Sequence, residues 1–182
     1  YETYGVPPMR RGPTGFGGLV RILIAQQVST AAATAIQGRV DALLPETTPQ
    51  AWLALDDAAL AACGVSAPKR RYLFGLAEAV LDERLVFSAL HRAENTPAHE
   101  MLTALTGIGP WTADCYLLFN MCRADCFPAG DLALQEGYRL LYRKNKRPDA
   151  AQLTIWAQDW SPLRAAAARL LWVYYGQQRQ KV

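Results

Sequence analysis

Apolar positions along this chain recur with the helical period almost everywhere. Leu19, Ile22, Leu23 and Gln26 fall on neighbouring turns after Gly17 and Gly18, and the spacing predicts a helix running on to about Val40. Trp52 to Cys63 reads as a short helix stopped by Gly64, and Ser66 with Pro68 opens another along Tyr72, Leu73, Leu76 and Val80. Further starts stand at Thr96-Pro97, Pro110, Asp131, Asp149 and Pro162, with ends predicted near Leu105, Cys122, Tyr142, Trp160 and Gly176. Alternation with period two is nowhere sustained, and neither Asn-Gly nor Asp-Gly occurs to turn a hairpin. The expected fold class is all-α.

At 182 residues, 51% of them hydrophobic, the chain can bury a sizeable core and is not a disordered one. A net charge of +3 permits nucleic-acid binding without pointing to it. No apolar run is long enough to span a membrane and no signal-peptide pattern opens the chain, so the expectation is a soluble, intracellular protein. It opens on Tyr1 rather than methionine, as trimming of upstream residues would leave it. Cys63, Cys115, Cys122 and Cys126 match no usual zinc or iron–sulfur spacing, and a disulfide framework does not suit a core-rich chain, so they are expected to be small buried hydrophobes.

The segment from Leu102 to Asp114 carries the strongest motif. Gly107 and Gly109 flank Ile108, which permits a tight reversal at positive φ with the isoleucine anchored inward. Pro110 suits the first turn of the next helix, whose exposed amides form an anion site for a DNA phosphate. A Gly-x-Gly corner alone would be an ordinary turn between helices. The surrounding Leu105-Thr-Gly-Ile-Gly-Pro-Trp-Thr-Ala pattern makes a DNA-binding hairpin the better reading, over about residues 97–122.

With those positions the chain resembles the helix-hairpin-helix DNA glycosylase superfamily, most of all its 3-methyladenine DNA glycosylase II branch. Three further blocks carry the resemblance: Leu19 to Thr30, Phe127-Pro-Ala-Gly-Asp-Leu-Ala, and Trp160-x-Pro-Leu-Arg through to Leu-Leu-Trp-Val-Tyr-Tyr-Gly176. It implies the compact form without the N-terminal β-domain, as two helical lobes with a cleft between them. Lobe A would be about 1–34 plus 145–182, and lobe B about 35–144.

The resemblance makes Asp131 the catalytic carboxylate, facing a flipped nucleotide. The chemistry fits, because breaking an N-glycosidic bond builds positive charge on the sugar, which a fixed anion stabilises while orienting or deprotonating water. Asp131 also reads as a helix cap, and the two roles are compatible. Asp114 and Asp125 do not match the family position. Bifunctional relatives carry a lysine nucleophile where Trp111 stands here, so a monofunctional hydrolase that leaves an abasic site is expected.

The resemblance also places Trp111 and Trp172 in the base pocket, with Phe16 and Tyr174 as weaker candidates, while Tyr116 and Tyr175 read as core. Cys115 stands where the family's main representatives carry a tyrosine. An aromatic cleft suits a base carrying positive charge after alkylation at N3 or N7. Gln27 is the choice for the side chain that fills the gap left by the flipped base, with Gln26 the alternative or a structural cap. Gly107, Ile108, Gly109, Trp111 and Thr112 would meet phosphate. Lys69, Arg70, Arg71, Arg143, Lys144, Lys146, Arg147, Arg164 and the Arg179–Lys181 tail are candidate phosphate contacts or merely a solvated face. The backbone carbonyls of Thr103, Leu105 and Ile108 are family-matched ligands for a monovalent cation, sodium or potassium; no organic cofactor is expected.

The expected activity is excision of 3-methyladenine and 7-methylguanine from double-stranded DNA by a monomer. Excision of deaminated or oxidised bases, and a non-catalytic DNA-damage sensor, are the alternatives. A helical protein without a DNA role would fit the periodicity but not four ordered blocks.

Overall fold

The computed structural model describes residues 5–180, and among these every regular element is helical. α1 spans Gly15–Ala25 and buries Leu19, Val20, Leu23 and Ile24. The single helix expected from Leu19 to Val40 is two, because Gln27 adopts φ +54 and breaks the path. Ser29 restarts it by accepting Ala32 N–H, capping α2 at Thr30–Leu43. α3 (Pro49–Leu53) and α4 (Asp57–Ala62) replace the one helix expected from Trp52 to Cys63, each with its own cap, Thr48 and Asp56. Gly64, at φ +87, ends α4, with Val65 N–H reaching back to the Leu60 carbonyl.

α5 (Ala67–Leu81) is followed by α6 (Phe87–Arg92), a helix too short for periodicity to predict. α7 (Asn95–Thr103) and α8 (Pro110–Cys115) form the hairpin, and α8 runs on as a π-helical turn over Tyr116–Asn120. α9 (Leu132–Leu141), α10 (Ala150–Trp156, extended as 3-10 helix to Trp160) and α11 (Arg164–Arg179) complete the chain.

One hydrophobic cluster runs through both ends of the molecule, with Trp52, Leu73, Leu102, Leu117 and Leu118 among its fully buried members. α1 packs on α2, α5 and the π-helical turn, whereas α9 packs on α11 more extensively than any other pair of elements. α9 thus packs closely with α11, the last helix of the chain. Gly137 eases that contact: a Cβ there would lie 3.2 Å from the Leu171 carbonyl oxygen, and the neighbour would have to yield by a few tenths of an ångström. Asp131 sits at the start of this closely packed helix. Among the described residues no helix is long and apolar enough to cross a membrane.

Candidate active site

Asp131 is the N-cap of α9, and its Oδ1 accepts the Ala133 and Leu134 amides at 2.9 and 3.1 Å. The approach is fixed by a turn in which Asp131 N–H donates to the Pro128 carbonyl at 2.8 Å. Buried Gln135 holds that turn by donating to the Ala129 carbonyl at 2.8 Å. Capping does not exhaust the carboxylate. Trp172 Nε1 donates to Oδ1 at 3.1 Å and Trp111 Nε1 donates to Oδ2 at 3.0 Å. Four N–H donors thus fix one anion in place, and among the described residues no cation pairs with it.

The carboxylate opens onto a cleft of about 490 Å³ lined by Trp111, Cys115, Phe119, Trp172, Arg169 and, from the N-terminal segment, Pro7, Pro8 and Arg10. Trp111, Cys115 and Phe119 follow one another along α8 and its π-helical turn, so a single face of that helix forms one wall. Phe119 stacks on Trp172 with centroids 5.3 Å apart and planes 25° from parallel. Burial pushes the Cys115 thiol far above its ordinary range, and the nearby carboxylate of Asp131 adds to the effect. That sulfur is a neutral wall group rather than a nucleophile.

Beside the cleft, Gly107 turns the hairpin at φ +90, where a Cβ would strike the Tyr72 ring. Gly109 does not use positive φ; it is an extended cap at φ −83, ψ 174 before Pro110. Ile108 is buried as expected, and its N–H donates to the Leu105 carbonyl. Gln26 Nε2 donates to the Gly107 carbonyl at 3.1 Å and to Thr112 Oγ1 at 2.8 Å, stapling the α1–α2 break onto the hairpin. Lys69 Nζ donates to the carbonyls of Ile24 and Gln26, both at 2.7 Å. Gln27, exposed at its left-handed position, lines a second concavity of about 540 Å³ together with Thr103, Leu105, Gly107, Ile108 and Gly109.

Residues 20–162 match the family described as "HhH-GPD superfamily base excision DNA repair protein". The chain belongs to this family. It is 34% identical over 158 residues to DNA-3-methyladenine glycosylase 1 of Schizosaccharomyces pombe, covering 85% of this chain and 69% of that protein. Its fold is similar to the DNA-3-methyladenine glycosidase of Bacillus halodurans, with a TM-score of 0.83 and 36% identity over 96% of this chain and 81% of that one. It is equally similar, at a TM-score of 0.83 and 32% identity over 92% and 84% of the two chains, to the S. pombe 3-methyladenine DNA glycosylase solved in complex with abasic DNA.

Within this HhH-GPD chain the expected site residues separate. Asp131, Trp111, Trp172 and Cys115 meet in one cleft. Phe16 is not part of it: 6% exposed, it packs edge-on against Trp52 in the core at 6.1 Å. Tyr174 is half-buried on α11 but does not line the cleft. Tyr116 is core, its hydroxyl accepting Gly15 N–H at 2.8 Å. Gln26 is a structural staple, and Gln27 beside it is exposed.

Among the basic candidates, Lys69 is spent inside the fold, Arg70 pairs with Asp57 at 2.7 Å and Arg164 with Asp125 at 2.6 Å. Arg71, Arg143, Lys144, Lys146 and Arg147 are exposed, with Lys144 over the Trp156 ring, and Lys181 lies outside the described residues. Of the cysteines, Cys63, Cys115 and Cys126 are buried, but Cys122 is exposed at φ +55. Sequence reasoning missed Phe119, Arg169 and the segment Pro7–Arg10. Phe119 had a signal, since it follows Cys115 by one turn as Cys115 follows Trp111.

Proposed function

We propose that this chain is a monofunctional DNA glycosylase that extrudes an alkylated purine from double-stranded DNA and hydrolyses its N-glycosidic bond. The observation that carries the reading is a carboxylate held by two indole N–H groups at the mouth of an aromatic cleft. A base alkylated at N3 or N7 bears positive charge, which the faces of Trp111, Phe119 and Trp172 attract by roughly 0.5–2 kcal/mol. As the bond from the sugar C1′ to the base nitrogen breaks, its electron pair leaves with the base and neutralises it. Positive charge then develops on the sugar beside Asp131, which stabilises it without reorganisation because its donors are already in place. Water adds its oxygen to C1′, and its proton passes to the carboxylate and on to solvent. Among the described residues lining the cleft there is no lysine, so no amine stands ready to attack C1′ and cut the strand.

In this reading Gln27 fills the gap in the duplex while the hairpin grips phosphate through the amides after Gly107. The Thr103, Leu105 and Ile108 carbonyls suit a monovalent cation there, bridging hairpin to phosphate. All three residues line one concavity, and the Leu105 carbonyl keeps a lone pair after accepting Ile108 N–H. The activity in this reading belongs to a monomer. The test is release of 3-methyladenine and 7-methylguanine from methylated duplex DNA, with the strand scored for abasic sites and for borohydride-trapped protein. Free base with an uncut, untrapped strand is expected. A trapped Schiff base, or no release of either lesion, would overturn the reading.

A further inference from the structure

Arg169 is a charged side chain that this chemistry leaves unused. It stands on α11 one turn before Trp172, is 7% exposed, and lines the same cleft as Asp131. Among the described residues it pairs with no carboxylate. Its hydrogen bonds all go to main-chain carbonyls and are long: 3.3 Å to Leu118, 3.4 Å to Pro8 and 3.5 Å to Arg10. Among the described residues its Nε makes none. The guanidinium lies 5.1 Å from the centroid of the Phe119 ring, and Phe119 in turn stacks on Trp172.

Burial draws its pKa below the ordinary arginine value, yet arginine keeps its proton at any working pH. A buried cation with weak partners is costly and gains from any further acceptor brought within reach. Arg10, exposed, also lines the cleft, so two arginines and one carboxylate share its walls. Such a cleft does not merely attract a cation. It also offers hydrogen-bond donors, which complement a base presenting a carbonyl oxygen. Guanine-type bases carry that acceptor at O6, whereas adenine-type bases carry an amino donor at the same edge.

We propose that Arg169 is a specificity-determining residue that donates to the exocyclic oxygen of the flipped base and favours 7-methylguanine over 3-methyladenine. This rests on the glycosylase reading above. By linking Pro8 and Arg10 to α11, Arg169 also holds the N-terminal segment as a pocket wall.

The test uses the full chain and one pool of methylated duplex DNA containing both lesions, and follows their release together under single-turnover conditions. The ratio of the two rates does not depend on how much protein is folded. Arg169→Leu is expected to lower the 7-methylguanine to 3-methyladenine ratio about tenfold, with Arg169→Lys between it and wild type. A parallel fall in both rates would overturn the proposal and leave Arg169 as a staple only. Wild type that releases neither base would instead sink the glycosylase reading. Titration of the free bases, read by tryptophan fluorescence, then decides the role of Arg169. A wild-type preference for 7-methylguanine that Arg169→Leu removes supports it; equal affinity, or no binding, overturns it.

Discussion

Asp114 stands on the second hairpin helix, one residue before Cys115, with its side chain 22% exposed. Burial raises its pKa from 3.8 to about 7, against the opposing pull of Arg164. Below pH 3.8 both folded and unfolded chains hold the proton. Between there and about 7 only the folded chain does, so stability falls by about 1.4 kcal/mol per pH unit as pH rises through this window. From about pH 5 to about pH 7 the loss is on the order of 3 kcal/mol, reduced to about 2 by the water that reaches the carboxyl. Asp114→Asn stays neutral throughout and should not show it. Its advantage over wild type should grow by about 2 kcal/mol between pH 5 and pH 8.5, or about 4–8 °C in melting temperature. Thermal melts of both proteins across that range are the assay. His99, whose Nε2 lies 3.6 Å from Asp114 Oδ1, is controlled by repeating the series in a His99→Gln background. Melting curves for wild type and Asp114→Asn that shift in parallel with pH would mean that Asp114 is not held neutral by burial.

Two further outcomes follow from the contacts. Lys69→Met removes two charge-assisted bonds to the carbonyls that close α1, and should cost about 1–3 kcal/mol by urea unfolding. If Gln27 fills the gap in the duplex as proposed above, the variant should also slow excision from duplex more than from single-stranded DNA. A thiol reagent should label Cys122 rapidly in the native protein, with Cys63, Cys115 and Cys126 reacting only on unfolding, as mass spectrometry of the modified peptides would show.

The helical class, the hairpin turn at Gly107 and the cap at Asp131 were legible because each rests on local chemistry: apolar spacing, a left-handed glycine, a carboxylate before an apolar helix. The break at Gln26–Ser29 was not, since apolar spacing continues across it. What bends the chain there is tertiary, the Gln26 staple to Gly107 and the Lys69 ammonium on the carbonyls beneath. Only Ser29, a good cap, hinted at a restart. Phe16 was misplaced for a related reason. Its aromatic character fits a base pocket, but its position in the first turn of α1 points it at Trp52. Arg169 left a trace as the single charge within the apolar run from Ala165 to Trp172, although its surroundings depend on Pro7–Arg10, a segment without periodicity.

The central claim is that Asp131 is a catalytic anion as well as a cap, and Asp131→Asn separates the two roles. Asparagine caps as well as aspartate, so Oδ1 can still accept the Ala133 and Leu134 amides. The new amide would face the Trp111 N–H donor to donor, at a cost of about 1–3 kcal/mol. Single-turnover release of 7-methylguanine, measured beside melting and DNA binding, is the direct test. Asp131→Asn should give a folded protein that binds DNA but excises about 10²–10³-fold more slowly, or slower still. Excision within tenfold of wild type would contradict the claim, leaving Asp131 as a helix cap alone.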